Sequence, residues 1–171
     1  MKLVLPEEVN VLDVVELFDE LYNESELVNG CGNLEKMDVD EWLLFTKNNR
    51  DKETCYKGIL PNTTYVVVDN EEAIGFLNLK HELDDKARIR YGHIDMSIGP
   101  SKRQKGYGRQ MLGLSLDKAR EKGLDRVLLI AEQGDKVTNK IILDNGGQLD
   151  NTVIIVEDDE ASYWKRYWIN L

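Results

Sequence analysis

The run Ile98-Gly99-Pro100-Ser101-Lys102-Arg103-Gln104-Lys105-Gly106-Tyr107-Gly108-Arg109 combines the two ingredients of an anion site. Its glycines fall where a helix is expected to begin. The first backbone N–H groups of a helix have no partner within it, and the helix dipole adds positive potential there. Glycine lets a phosphate oxygen approach such a backbone, where a Cβ would hold it away. Lys102, Arg103, Lys105 and Arg109 add cationic side chains. The chain as a whole is acidic, with 32 Asp and Glu against 22 Lys and Arg and a formal net charge of -10. Yet no carboxylate occurs between Asp95 and Asp117, the interval that holds those cations. A basic loop alone is usually a solvated face. Two glycines at a strand-to-helix junction favour a phosphate seat.

The elements that must position this loop follow from apolar spacing. A short strand over 2–5 stops at Pro6. Val11, Val14, Val15, Phe18, Leu21 and Tyr22 recur at steps of three and four, which predicts a helix over 7–23. A second helix over 38–47 has Asp38 as N-cap and Trp42, Leu43 and Phe45 as apolar members. The β-branched run 63–68 ends at the turn signal Asp69-Asn70, and 73–80 completes a hairpin. Next come a strand over 89–98 and a helix over 108–122 stopped by Gly123. The unbroken apolar run over 127–131 predicts a strand buried on both faces. A helix over 136–144 and strands over 153–156 and 163–169 finish the chain. This order defines an α/β fold with a mixed sheet.

A length of 171 residues suits one domain, 1–171, with a substantial core. No run approaches the ~20 apolar residues of a membrane span. The first ten residues lack the apolar stretch of a signal peptide, so a cytoplasmic protein is expected. Cys31 and Cys55 show neither CxxC spacing nor neighbouring histidines, which predicts no metal and no disulfide framework. The negative charge disfavours nucleic acid and membrane surfaces as partners.

Arg103-Gln104-Lys105-Gly106-Tyr107-Gly108 resembles the pyrophosphate motif Q/R-x-x-G-x-G/A of the GNAT N-acetyltransferases. Ile98-x-Pro100 resembles the end of that family's fourth strand. Asp135-Lys136-Val137-Thr138-Asn139-Lys140 is similar to its N-x-x-S/A-x-K segment, with Asp135 replacing the usual asparagine, and Asn145-Gly146-Gly147 resembles the turn that follows. His81-x-Leu83, Gly92-His93-Ile94 and Arg166-Tyr167-Trp168-Ile169 resemble one bacterial subgroup. The resemblance implies a mostly antiparallel central sheet of about seven strands, flanked by about four helices and splayed between strands 4 and 5 near Ile98 and Leu129.

It also implies a chemistry: the acetyl group of acetyl-CoA passes to a primary amine of a small-molecule or peptide acceptor by direct attack. Pantetheine would pair with backbone from Met96 to Ile98, like an added strand. The pyrophosphate would rest on the amides of Gln104, Lys105, Gly106, Tyr107, Gly108 and Arg109, beside Arg103, with Asp135 and Thr138 adding contacts. An N–H near Ser97 or Ile98 would serve as oxyanion donor. An attacking amine must be neutral, so a base is needed. By strand alternation Tyr91, His93, Asp95 and Ser97 share a face; Asp95 is the first candidate, His93 the second and His81 the third. The family's acid tyrosine corresponds to Ile142 here, leaving Tyr163 or Tyr167 as substitutes. Trp42, Phe45, Asp38, Asp40 and Glu41 could frame the amine, although their spacing equally suits a half-buried helix. Family members are often dimers.

Two other readings compete. A non-catalytic CoA-binding module would lack the acid and base. A nicotinamide oxidoreductase would use Gly106-x-Gly108 as half of G-x-G-x-x-G, with Glu132 on the ribose. Its third glycine is Met111, however, and its glycines should follow the strand directly rather than eight residues on.

Overall fold

The computed structural model describes residues 1–157 and 160–171. In chain order its elements are β1 (Lys2–Val4), α1 (Val11–Glu24), α2 (Val39–Asn48), β2 (Asn62–Asp69), β3 (Glu72–Lys80), α3 (Asp85–Arg90), β4 (Ile94–Ile98), α4 (Tyr107–Glu121), β5 (Arg126–Glu132), α5 (Lys136–Asp144), β6 (Gln148–Glu157) and β7 (Glu160–Asn170). Alternation along the β2–β3 hairpin sets the layers. Tyr65, Val67, Leu77 and Leu79 point into one core, while Val66, Val68 and Phe76 point into another. Both faces therefore need cover. Val14, Leu17 and Leu21 of α1 and Trp42 of α2 cover one; Met111, Leu112, Leu116 and Ala119 of α4 and Ile142 of α5 cover the other. Trp42 is fully buried, donates its indole N–H to the Cys31 carbonyl at 2.7 Å, and meets Phe76 edge-on. It is a core residue and not a wall of an amine site. Asp38 caps α2 by accepting from Glu41 N at 2.9 Å.

The strands divide into two antiparallel sheets, ordered β1-β2-β3-β4 and β5-β7-β6. The expected splay between the fourth and fifth strands is thus complete. Side chains of both sheets share one core, and the backbones meet just before β4. His93 N donates to the Leu128 carbonyl at 2.7 Å, and Leu128 N donates back to His93 Nδ1 at 2.8 Å. Among the described residues no other hydrogen bond joins this strand to β5. Gly92 makes the approach possible. Its φ is +67°, and a Cβ there would overlap the Leu128 carbonyl oxygen and lie 3.1 Å from its carbonyl carbon.

The strand expected over 89–98 is corrected. Residues 85–90 form α3, because Asp84 accepts from Ala87 N at 2.7 Å as an N-cap and Arg88 and Arg90 sit at the favourable C-terminal end. The strand proper starts only at Ile94. Among the described residues the α-helices number five, in keeping with the expectation of about four. The strands β6 and β7 outrun their expected lengths, since their polar ends pair in a hairpin without forming an apolar run.

Candidate functional site

At the end of β4 the chain turns through Gly99, whose N–H donates to the Ile74 carbonyl at 2.9 Å. This bond continues the β3–β4 ladder by one residue beyond the Gly75–Ile98 pair. A short 3-10 turn, Pro100–Lys102, leads into α4. Gln104 has a φ of +63° and Gly106, the N-cap of α4, one of +81°. No side chain caps this helix, and nothing lies within 4 Å of where a Gly106 Cβ would be. The first-turn amides of Tyr107, Gly108 and Arg109 are thus left without a side-chain cap, on a helix that contacts both β4 and β5. Gly108 has a different reason to be glycine: a Cβ there would lie 2.9 Å from Ile141 Cδ1 on α5.

The loop's charge is not as free as its sequence suggests. Folding returns carboxylates from elsewhere. Lys102 pairs with Glu72 at 2.5 Å. Arg103 pairs with both oxygens of Glu24 at 2.7 and 2.5 Å and donates from Nε to the Ile98 carbonyl at 3.1 Å. Ser101 N donates to Glu20 at 2.7 Å. Arg103 is therefore a brace between loop, strand and α1. Lys105, whose Nζ reaches the Ser101 carbonyl at 3.4 Å, and Arg109 make no ion pair among the described residues. The Tyr107 hydroxyl donates to Asp69 at 2.8 Å, tying the helix start to the β2–β3 turn.

On the α1–α2 side of β4 lies a cavity of about 490 Å³. Asp95, Lys80, Asn78, Tyr91, Lys86 and Phe45 line it, with the segment 27–36. Ser97 Oγ donates to the Asn29 carbonyl at 2.7 Å and holds that segment across the strand. Asp95 Oδ2 is ion-paired with Lys80 Nζ, and both side chains are partly exposed. Lys80 and Lys86 stand 5.9 and 5.7 Å from the centroid of the Tyr91 ring. Sequence reasoning found Asp95 but missed Lys80, Lys86 and the role of Tyr91. The missing signal was Asp84 as a helix start: the turn of α3 carries Lys86 and Tyr91 to the cavity that Asp95 faces.

The two histidines lie outside this cavity. His93 is buried, its Nδ1 already accepts from Leu128 N, and burial with the nearby charges of Arg88 and Lys80 pulls its pKa down to about 4. Its ring is neutral with the proton on Nε2. His81 sits 2.8 Å from Thr63 Oγ1 and is likewise lowered to about 4, mainly by burial. Ile142, at the family's acid position, has no proton to give and is fully buried, and of the substitutes the Tyr167 hydroxyl donates to Asn139 Oδ1 at 2.6 Å within the core. Tyr163 lines a separate depression by Glu132 and Gln133. Asp135 and Thr138 meet each other: Thr138 N donates to Asp135 Oδ1 at 2.9 Å as the cap of α5. Asp135 thus keeps the capping chemistry of the asparagine it replaces.

Residues 30–139 match the model of the acetyltransferase (GNAT) family. The chain belongs to that family, and its enzyme class is acetyl-CoA-dependent N-acetyl transfer. Its fold is similar to that of yncA from Salmonella typhimurium, solved with its cofactor acetyl-CoA, with TM-score 0.66 and 14% identity over 99% of this chain and 92% of that one. A GNAT-family acetyltransferase from Streptococcus pneumoniae gives TM-score 0.68 and 14% identity over 99% and 98%. A chimera of the spermidine N-acetyltransferase SpeG from Vibrio cholerae with hSSAT gives 0.68 and 18% over 99% and 96%. At these identities the likeness is one of fold. No curated protein matches the chain in sequence. The oxidoreductase reading is set aside by the strand pairing too: a dinucleotide fold needs parallel strands, and every strand pair here is antiparallel. Among the described residues no helix is long and apolar enough to cross a membrane.

Proposed function

We propose that residues 1–171 act as one domain that moves the acetyl group of acetyl-CoA onto a primary amine held in the cavity beside Asp95. The observation that carries this reading is the start of α4, which no side chain caps and whose Gly106 has open space around it. A diphosphate would rest there on the amides of residues 104–109, with the exposed Lys105 and Arg109 as counter-charges. Arg103 supports the site by fixing the loop to Ile98 and Glu24. The backbone from Met96 to Ile98 borders the gap and suits a pantetheine arm. Asp135 and Thr138 shape the end of α5 rather than the phosphate seat.

The amine loses a proton to Asp95, directly or through water, and its nitrogen attacks the thioester carbon. His93 serves the junction between the sheets, which leaves Asp95 as the base. With an isoleucine at position 142 and the Tyr167 hydroxyl committed to Asn139, the CoA sulfur leaves as a thiolate and takes its proton from solvent.

Free thiol released from acetyl-CoA over a panel of amines tests this directly. Amine-dependent release is expected, together with saturable CoA binding that a folded Gly106→Glu variant has lost. CoA binding without thiol release from any amine would instead make the chain a non-catalytic CoA-binding module. Unchanged CoA affinity in Gly106→Glu would remove the loop from the site.

A further inference from the structure

The cavity beside Asp95 presents both signs of charge, the carboxylates of Glu35, Asp84 and Asp95 and the ammonium groups of Lys36, Lys80 and Lys86. Its carboxylates are all engaged. Asp95 pairs with Lys80, Asp84 caps α3, and Glu35 accepts from the Cys31 thiol at 3.0 Å. Lys36 reaches Asn33 at 3.3 Å and Glu35 at 3.6 Å. Lys86 has no ion pair among the described residues. Its ammonium meets only the face of Tyr91, which also attracts Lys80. An aromatic face steadies a cation without neutralising it. Among the described residues Lys86, on an exposed side chain, is thus the lysine of this lining that stands outside an ion pair.

We infer that the acceptor is an amine bearing its own carboxylate, of the amino-acid class, with Lys86 receiving the carboxylate and Asp95 the ammonium. This deepens the acetyl-transfer reading and rests on it. A zwitterion complements both signs of the wall. A polyamine leaves the Lys86 end unmatched, because an ammonium placed there would face another ammonium. Tyr91, whose ring both Lys80 and Lys86 approach, lines the same cavity and offers a surface for the carbon skeleton. The reaction balances: the N–C bond forms, the C–S bond breaks, and the sulfur leaves with the electron pair. Of the two protons the ammonium loses, one ends on the CoA thiol and one in solvent. The product keeps its carboxylate but not its ammonium, so Asp95 no longer holds it, which favours release.

The test compares each L-amino acid with its decarboxylated twin, such as phenylalanine with phenethylamine and lysine with cadaverine, by thiol release from acetyl-CoA. For at least one pair, kcat/KM for the amino acid should exceed that of the amine by about ten-fold or more. Lys86→Gln should raise KM for that amino acid and shrink the ratio to within about two-fold. Its CoA affinity, measured by titration, checks that the variant is folded. Equal or better turnover of the decarboxylated amines would overturn the inference while leaving acetyl transfer intact. So would an unchanged ratio in Lys86→Gln. Silence with every amine, despite CoA binding, would fell the acetyl-transfer reading and this inference with it.

Discussion

Asp95 does its work in company. Its carboxylate lies on β4 one residue from Met96, faces the cavity, and shares a charge with Lys80. An amine entering the cavity must compete with that ammonium or use the second carboxylate oxygen. Asp95→Asn keeps the shape and a hydrogen bond to Lys80 while removing the proton acceptor. Turnover with the best acceptor should fall by about two to four orders of magnitude, with CoA affinity nearly intact. Full activity at every pH from 6 to 9 would free Asp95 of the role. Arg103 shows the same dependence on company. Its motif position marks it as a phosphate ligand, yet its guanidinium is already shared between Glu24 and Ile98.

At the scale of elements, the gap between β4 and β5 exists because the strands are pinned at one end only. Gly92 allows the backbones to touch, and His93 satisfies both polar groups of Leu128. From there the strands separate, and α4 starts beside the opening. His93→Ala leaves the Leu128 N–H buried without a partner and should cost about 1–3 kcal/mol in urea unfolding. His93→Asn, which can still accept that bond, should recover part of it. Equal loss in both variants would mean that the imidazole acts through bulk and not through its nitrogen. The motif Gly92-His93-Ile94, which sequence comparison could only associate with a subgroup, thereby acquires a structural meaning.

The whole molecule should feel acid through its two histidines. His81 and His93 are both pulled from 6.5 to about 4 by burial. In the unfolded chain each imidazole takes up a proton as pH falls through about 6.5. In the folded chain each resists until about 4. Between those values the unfolded state binds more protons, so stability declines as pH drops from about 6.5 toward 4 and is steady above that window. Urea midpoints at pH 7.5, 6.0 and 5.0 should fall in that order, and a His81→Gln, His93→Asn variant should flatten the trend. A flat wild-type profile would contradict the depressed values.

Several features were determined by local sequence. The periodicity of α1, the unbroken run of β5 and the glycines ahead of α4 each describe a residue's own neighbourhood, and that physics does not wait for the fold. The phosphate-seat candidate was legible for the same reason: open amides at a helix start are a local property. Only the tertiary structure decided which charges remain available. Glu20, Glu24 and Glu72 are remote in sequence from the basic loop and beside it in space, so the gap in carboxylates from Asp95 to Asp117 overstated its free charge. Trp42 entered the core, His93 became a pin between sheets, and Lys86 came to share the cavity of Asp95 through a helix that a strand-like reading had hidden. Electrostatics acts across space, and pairing is set by which surfaces the core brings together.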